Sequence, residues 1–207
     1  LRVFRADVPI RVWVFVPYGT APPGAFPGPM VGRAVVSYVF YNDPADVARW
    51  WRMVRQAPQN LPDKALVLSM MKPFYLKWAE RIRAALAAHR FDNGRLHCHF
   101  PDETLNTELG EILSEGCTLA IYVGHGRSRG WSGYKGFRWK HVAPHPQQAP
   151  IGTMISLSCN SLAQDKEYSL PMGLQWVMEE RCGAFLGACD AVKIQPLAKI
   201  TRYMLDI

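Results

Sequence analysis

The chain has 207 residues, of which 49% are hydrophobic and 20% charged, enough for one substantial core and unlike a disordered or fibrous polymer. No apolar run reaches the roughly 20 residues of a membrane-spanning helix, so a membrane partner is not expected. The net charge of +7 comes from Lys and Arg spread mostly along the chain, the pattern of a solvated surface rather than of a nucleic-acid tract.

Residues 1–60 keep no clean rhythm. Ile10 to Val16 and Val31 to Tyr41 predict strands around a loop, Pro17 to Pro29, that holds five prolines. Asp43-Pro44 then opens a helix carrying Trp50 and Trp51. This stretch is expected to be an N-terminal extension packed on the core, closing in the linker Ala57 to Asp63, with residues 61–207 forming the main domain. From Lys64 onward strands alternate with helices. Lys64 to Met71 (KALVLSMM) reads as a buried strand, and Pro73 follows at a first helical position. Phe74, Trp78, Ile82, Ala85, Leu86 and His89 recur at helical spacing. Arg95 to Phe100 is the next strand. Asp102 then caps a helix with Leu105, Leu109, Ile112 and Leu113 on one side, leading into a strand that ends at His125. A further strand ends at Cys159. Ser169 and Pro171 start a helix striped by Leu170, Leu174, Val177 and Met178, for which Gly183 is the expected breaker. Ala184 to Cys189 is a last strand, and Pro196 to Leu205 begins a last helix. Such alternation implies an α/β sandwich with a mainly parallel sheet covered on both faces.

Two of these runs end abruptly in reactive side chains: Leu119 to Gly126 (LAIYVGHG) and Met154 to Ser161 (MISLSCNS). Ligands of open parallel sheets bind beyond the carboxyl ends of the strands. An imidazole and a thiol therefore share one rim. A thiol needs a base to become a nucleophile near neutral pH, and histidine suits that task. Gly124 and Gly126 let the backbone approach a ligand closely, and the amide after the histidine can donate to an oxyanion.

The five cysteines are an odd number without CxxC spacing, so reduced thiols in a cytoplasm fit best. Cys117, Cys182 and Cys189 sit in or beside apolar runs and read as core. His97-Cys98-His99 places two imidazoles on one strand face, but no further ligand has zinc spacing and no metal or other cofactor is expected. From Arg127 to Gly152 there is no Asp or Glu; basic residues alternate there with Trp131, Tyr134, Phe137 and Trp139. Beside the dyad, this composition reads as a mobile substrate flap with Trp131 touching substrate. It also suits a nucleic-acid platform, although no DNA- or RNA-binding motif accompanies it. The chain opens at Leu1 without a methionine or a leader, from which a fragment or processed product is expected.

The block from about Lys64 to Leu205 resembles the caspase-like cysteine peptidases of clan CD, most closely the gingipain and CHAT-domain branches. The residues that carry the resemblance are YVGHG, then SLSCNS with 34 residues from His125 to Cys159, then GLQWVMEERCGAFLGACDAV. It implies a caspase-like three-layer sandwich in which His125 and Cys159 form the dyad and the amides of Gly126 and Cys159 receive the oxyanion. The implied activity is endopeptidase, with a protein or peptide substrate and with activation by a partner or by cleavage. The nucleophile region departs from the Gln-Ala-Cys-Arg/Gln-Gly of animal caspases. Some relatives carry an Asp two residues before the cysteine that reads a basic P1 side chain; here Leu157 stands there. Asp190 is a candidate replacement, favouring Arg or Lys, while Lys72 and the basic loop favour an acidic side chain instead. An interaction module that keeps the fold without efficient catalysis is the alternative reading.

Overall fold

The computed structural model describes residues 10–17, 34–41, 43–45, 47–48, 51, 61–89, 91, 96–99, 106–143, 150–163, 170–188 and 190–192. The chain divides into two compact units, residues 1–52 and 53–207. In the first, β1 (Ile10–Pro17) and β2 (Ala34–Tyr41) pair in parallel from Ile10↔Ala34 to Pro17↔Tyr41. Parallel neighbours need a connection of a dozen residues or more, and residues 18–33 stand between the two strands in sequence. The Ala45 amide donates to Asp43 Oδ1 at 2.6 Å, so Asp43 caps the helical residues that follow.

The second unit is built on a five-stranded parallel sheet in the order β4-β3-β5-β8-β9. Its strands are β3 (Ala65–Ser69), β4 (Leu96–His99), β5 (Cys117–Val123), β8 (Ile151–Leu157) and β9 (Cys182–Leu186). The helices are α1 (Pro73–His89), α2 (Asn106–Ser114) and α3 (Met172–Met178). The expected α/β architecture is therefore the one observed. Every residue of β3 is buried, because helices cover both faces of a parallel sheet and leave no solvated side.

Strand parity sorts the core into two layers. Ala65, Val67, Ile121, Val123, Ile155 and Leu157 pack with Tyr75, Trp78, Ala79, Ile82 and Leu86 of α1. Leu66, Leu68, Ala120, Tyr122 and Met154 face the other way, onto Leu109 and Leu113 of α2 and Met172 and Trp176 of α3. In β3 and in the carboxyl-terminal halves of β5 and β8, odd-numbered residues thus look toward α1 and even-numbered ones toward α2 and α3.

Four details differ from the sequence reading. The apolar stripe of α1 runs through Tyr75, Trp78, Ala79, Ile82 and Leu86, whereas Phe74 is 51% exposed. The stop for α3 is not Gly183, which lies inside β9. Instead Glu180 adopts φ +55°, with its amide on the Val177 carbonyl and the Arg181 amide on the Trp176 carbonyl. That is a Schellman motif made without glycine. Third, residues 126–143 pack into the core rather than forming an exposed flap. A short hairpin, β6 (Gly126–Arg127) with β7 (Gly130–Trp131), turns the chain inward. Trp131, Tyr134 and Phe137 are then almost wholly buried while Arg127, Lys135, Arg138 and Lys140 stay outside. Fourth, β3 begins at Ala65 and closes at Ser69, so Met71 and Lys72 belong to the turn before α1. The predicted helix from Pro196, the capping Asp102 and the side chains of His97, Cys98, His99 and Trp50 lie outside the described residues.

Candidate active site

Register fixes the site. Val123 of β5 pairs with Leu157 of β8, and His125 and Cys159 each stand two residues beyond that pair. Both numbers are odd, which continues the face turned toward α1. There the first turn of α1 presents Tyr75, whose hydroxyl lies 3.3 Å from His125 Nε2 and 3.4 Å from Nδ1. The two rings meet edge to face at 5.3 Å.

The strand ends are also held together by backbone. A Cβ on Gly126 would strike the Ser158 side chain and come within 2.6 Å of the Cys159 carbonyl. Only glycine therefore lets the histidine and cysteine turns touch. Gly124 is similarly confined by Tyr122 and Met70. The His125 amide donates to the Met70 sulfur at 3.2 Å, and the Tyr122 hydroxyl donates to the His125 carbonyl at 3.0 Å. His125 is thus gripped by its own backbone while its ring stays exposed.

Below the cysteine runs a buried polar chain. Trp131 Nε1–H donates to Ser156 Oγ at 2.9 Å, and Ser156 Oγ shares a 2.8 Å hydrogen bond with Ser158 Oγ. All three side chains are closed to solvent, so these buried hydrogen bonds tie the end of β8 to Trp131. After Cys159 the backbone turns sharply: Asn160 has φ +57°, a conformation asparagine tolerates better than most residues. The Asn160 amide donates to the Asp190 carbonyl at 3.1 Å, and the Gly173 amide at the start of α3 donates to the Ser161 carbonyl at 2.9 Å.

The Cys159 thiol is half-buried between the backbone groups of Val192. The Val192 amide donates to Sγ at 3.4 Å, and the thiol donates to the Val192 carbonyl at 3.5 Å. The other two described thiols are a different matter. Burial pushes Cys117 up to about 12 against the lowering charge of Lys64. Burial, then the neighbouring Cys117, pushes Cys182 higher still. Both are inert core hydrophobes, as expected from their apolar runs; Cys189 lies outside the described residues.

The structure places the remaining candidates unevenly. Lys72 is exposed in the turn between β3 and α1, its amide donating to the Met70 carbonyl. Asp190 is exposed on the same rim, and its Oδ1 accepts from the Ala191 amide at 2.6 Å. Trp131 does not fit a role in touching substrate: it is 1% exposed, stacks on Tyr122 at 4.1 Å and spends its N–H on Ser156. It supports the wall from behind. Tyr75, Met70, Val192 and the Ser156–Ser158 pair were not singled out from sequence. Tyr75 alone had a readable signal, its place at the head of the 75, 78, 79, 82, 86 series.

The chain has an α/β fold similar to that of solved gingipain structures. Two solved structures are similar to the chain. One is the crystal structure of the Arg-specific cysteine proteinase gingipain R, at a TM-score of 0.66 and 13% identity over 84% of this chain and 44% of that one. The other is the complex of the pro- and mature domains of RgpB from Porphyromonas gingivalis, at 0.71 and 13% over 98% and 55%. The chain therefore spans about half the length of the structures it matches. No family model and no curated protein matches the sequence.

Proposed function

We propose that the chain is a cysteine endopeptidase in which Cys159 attacks the scissile carbonyl and His125 handles the proton. The observation that carries this reading is the Val123↔Leu157 register, which sets the imidazole and the thiol at one level on adjacent strand ends and on one face. His125 takes the thiol proton, the thiolate adds to the carbonyl carbon, and a tetrahedral oxyanion forms. Backbone amides at Gly126 and Cys159 are the proposed donors to that oxygen. Collapse expels the amine, which His125 protonates, and leaves a thioester. Water, deprotonated by the same imidazole, then releases the acid and restores the thiol. No step calls on a metal or an organic cofactor.

A covalent probe such as an acyloxymethyl ketone peptide tests this reading. Labelling falls on Cys159, vanishes in Cys159→Ala and is lost almost as fully in His125→Ala. The double variant turns over peptide no more slowly than either single one, because the two groups act as a unit. Turnover that survives in Cys159→Ala would refute the mechanism, and a wild-type chain that neither labels nor cleaves would favour the interaction module.

For specificity we propose a basic P1 residue read by Asp190. This reading is supported by the Asp190 carbonyl accepting from the Asn160 amide next to Cys159, and carboxylates hold guanidinium groups by charge-assisted hydrogen bonds. The stated Arg specificity of gingipain R supports the same choice. In a peptide library Asp190→Ala loses the preference for Arg or Lys while Cys159 keeps its reactivity toward a small thiol reagent; an unchanged preference would move the pocket elsewhere. The likeness to a complex of pro- and mature domains supports a regulated form, such as a bacterial effector or defence protease.

A further inference from the structure

A two-residue dyad leaves its imidazole free to rotate unless something holds the ring. His125 carries its ring at an exposed strand end, and its backbone bonds to Met70 and Tyr122 fix the main chain but not the side-chain torsions. The structure supplies a holder from a third element. Tyr75 is only 6% exposed, locked in the first turn of α1 among Trp78, Ala79 and the odd-numbered strand residues. Its ring meets Phe74 edge to face at 5.5 Å on one side and His125 on the other. The phenol oxygen lies almost equally far from both imidazole nitrogens, 3.3 and 3.4 Å.

We propose that Tyr75 is the positioning residue of the site, its hydroxyl holding the His125 ring in the orientation that serves Cys159. The inference rests on the dyad reading above and adds a third member to it. A hydroxyl suits the place because its oxygen accepts from a ring N–H without adding a charge. It accepts from the N–H of neutral imidazole, leaving the bare nitrogen for the Cys159 proton, and it still accepts once the ring is charged. A single neutral group therefore holds the ring through both protonation states that turnover visits. Burial, and then the charge of Cys159, raise the phenol above its ordinary value, so the hydroxyl keeps its proton while thiol and imidazole exchange theirs. Tyr75 neither touches substrate nor stores a proton; it acts through His125.

Tyr75→Phe in the full chain isolates this role, since it removes one oxygen and keeps the packed ring. The expected result is a fall in kcat of about tenfold to a hundredfold, the scale of a misplaced reacting group, with KM and thermal midpoint unchanged. Nitrogen-15 spectra of His125 should show displaced ring signals and altered tautomer populations at the same time. An unchanged kcat, or ring signals that coincide with those of the wild type, overturns the proposal. The spectra need no peptidase activity. Should the wild-type chain prove inactive on every peptide, the dyad reading falls by the covalent probe, and the Tyr75–His125 bond is judged by the spectra alone.

Discussion

Three described cysteines share one chain and differ in what their surroundings allow. Cys117 and Cys182 are fully closed to solvent, and burial disfavours their thiolates strongly enough to keep them protonated at any physiological pH. Cys159 is half-buried, within reach of Tyr75, whose phenol feels its charge. A limiting amount of iodoacetamide at neutral pH should accordingly alkylate Cys159 and leave Cys117 and Cys182 untouched, as read by peptide mass mapping of the folded protein. Adducts on Cys117 or Cys182 at a comparable rate would mean that the core opens far more readily than its packing implies. The same contrast shows what a residue-level reading of sequence can reach. A thiol inside an apolar run and a thiol at the end of one differ visibly in letters. The partner that orients the imidazole does not, because Tyr75 belongs by spacing to an ordinary amphipathic stripe and only the crossing of α1 over the strand ends gives it a second task.

At the scale of elements, the strands that deliver His125 and Cys159 were legible because a sheet covered on both sides demands continuous apolar runs. The segment between them was not. Basic residues alternating with aromatics, with glycines between, resemble a surface loop in composition. What decided its place was the space beside Tyr122, which Trp131 fills by stacking, with Phe137 stacked beyond it at 5.4 Å. Residues 126–143 are therefore an aromatic wedge with its charges turned out. The wedge is pinned at its far end by the 3-10 turn Trp139–His141, where His141 Nδ1 accepts from the Arg138 amide at 3.0 Å. Burial first, then the charges of Lys140 and Arg138, hold the His141 imidazole below its ordinary value. A base held down in the folded state is protonated earlier in the unfolded one. Its contribution is then fully present above about 6.5, the unfolded value, and is lost as pH falls through the lower folded value. Thermal midpoints measured from pH 8 down to pH 5 should decline, and His141→Asn, which keeps an acceptor but cannot take the proton, should flatten that decline. An identical slope in the variant would show that other groups govern the acid limb.

For the molecule as a whole, the net charge of +7 gains a local meaning from the position of Lys72 and Arg127, both exposed beside the strand ends. Long-range attraction of this kind acts on encounter and is screened by salt. Of two peptides with the same P1 residue, the one flanked by Asp or Glu should therefore lose more kcat/KM than a neutral one as salt rises from about 0.01 to about 1 M, over which the screening length shrinks from about 30 to about 3 Å. Parallel salt curves for the two peptides would remove any part for these charges in substrate capture.

The pairing of Val123 with Leu157 has a last consequence, for how this chain can change its length. Side chains along a strand alternate between faces, so a frame slip of one residue reverses them all. Deleting a single residue inside β8 would turn Cys159 toward the Trp131 side and bring Asn160 to the face of Tyr75, although almost every letter of the strand would survive. A matching deletion in β5 cannot mend this, because it sends His125 to the wrong side as well. Only insertions and deletions in multiples of two would keep each reactive group on its face. Even then they would shift the height of one reactive group against the other by about 6.6 Å for every pair of residues, a step no side chain of the dyad can span.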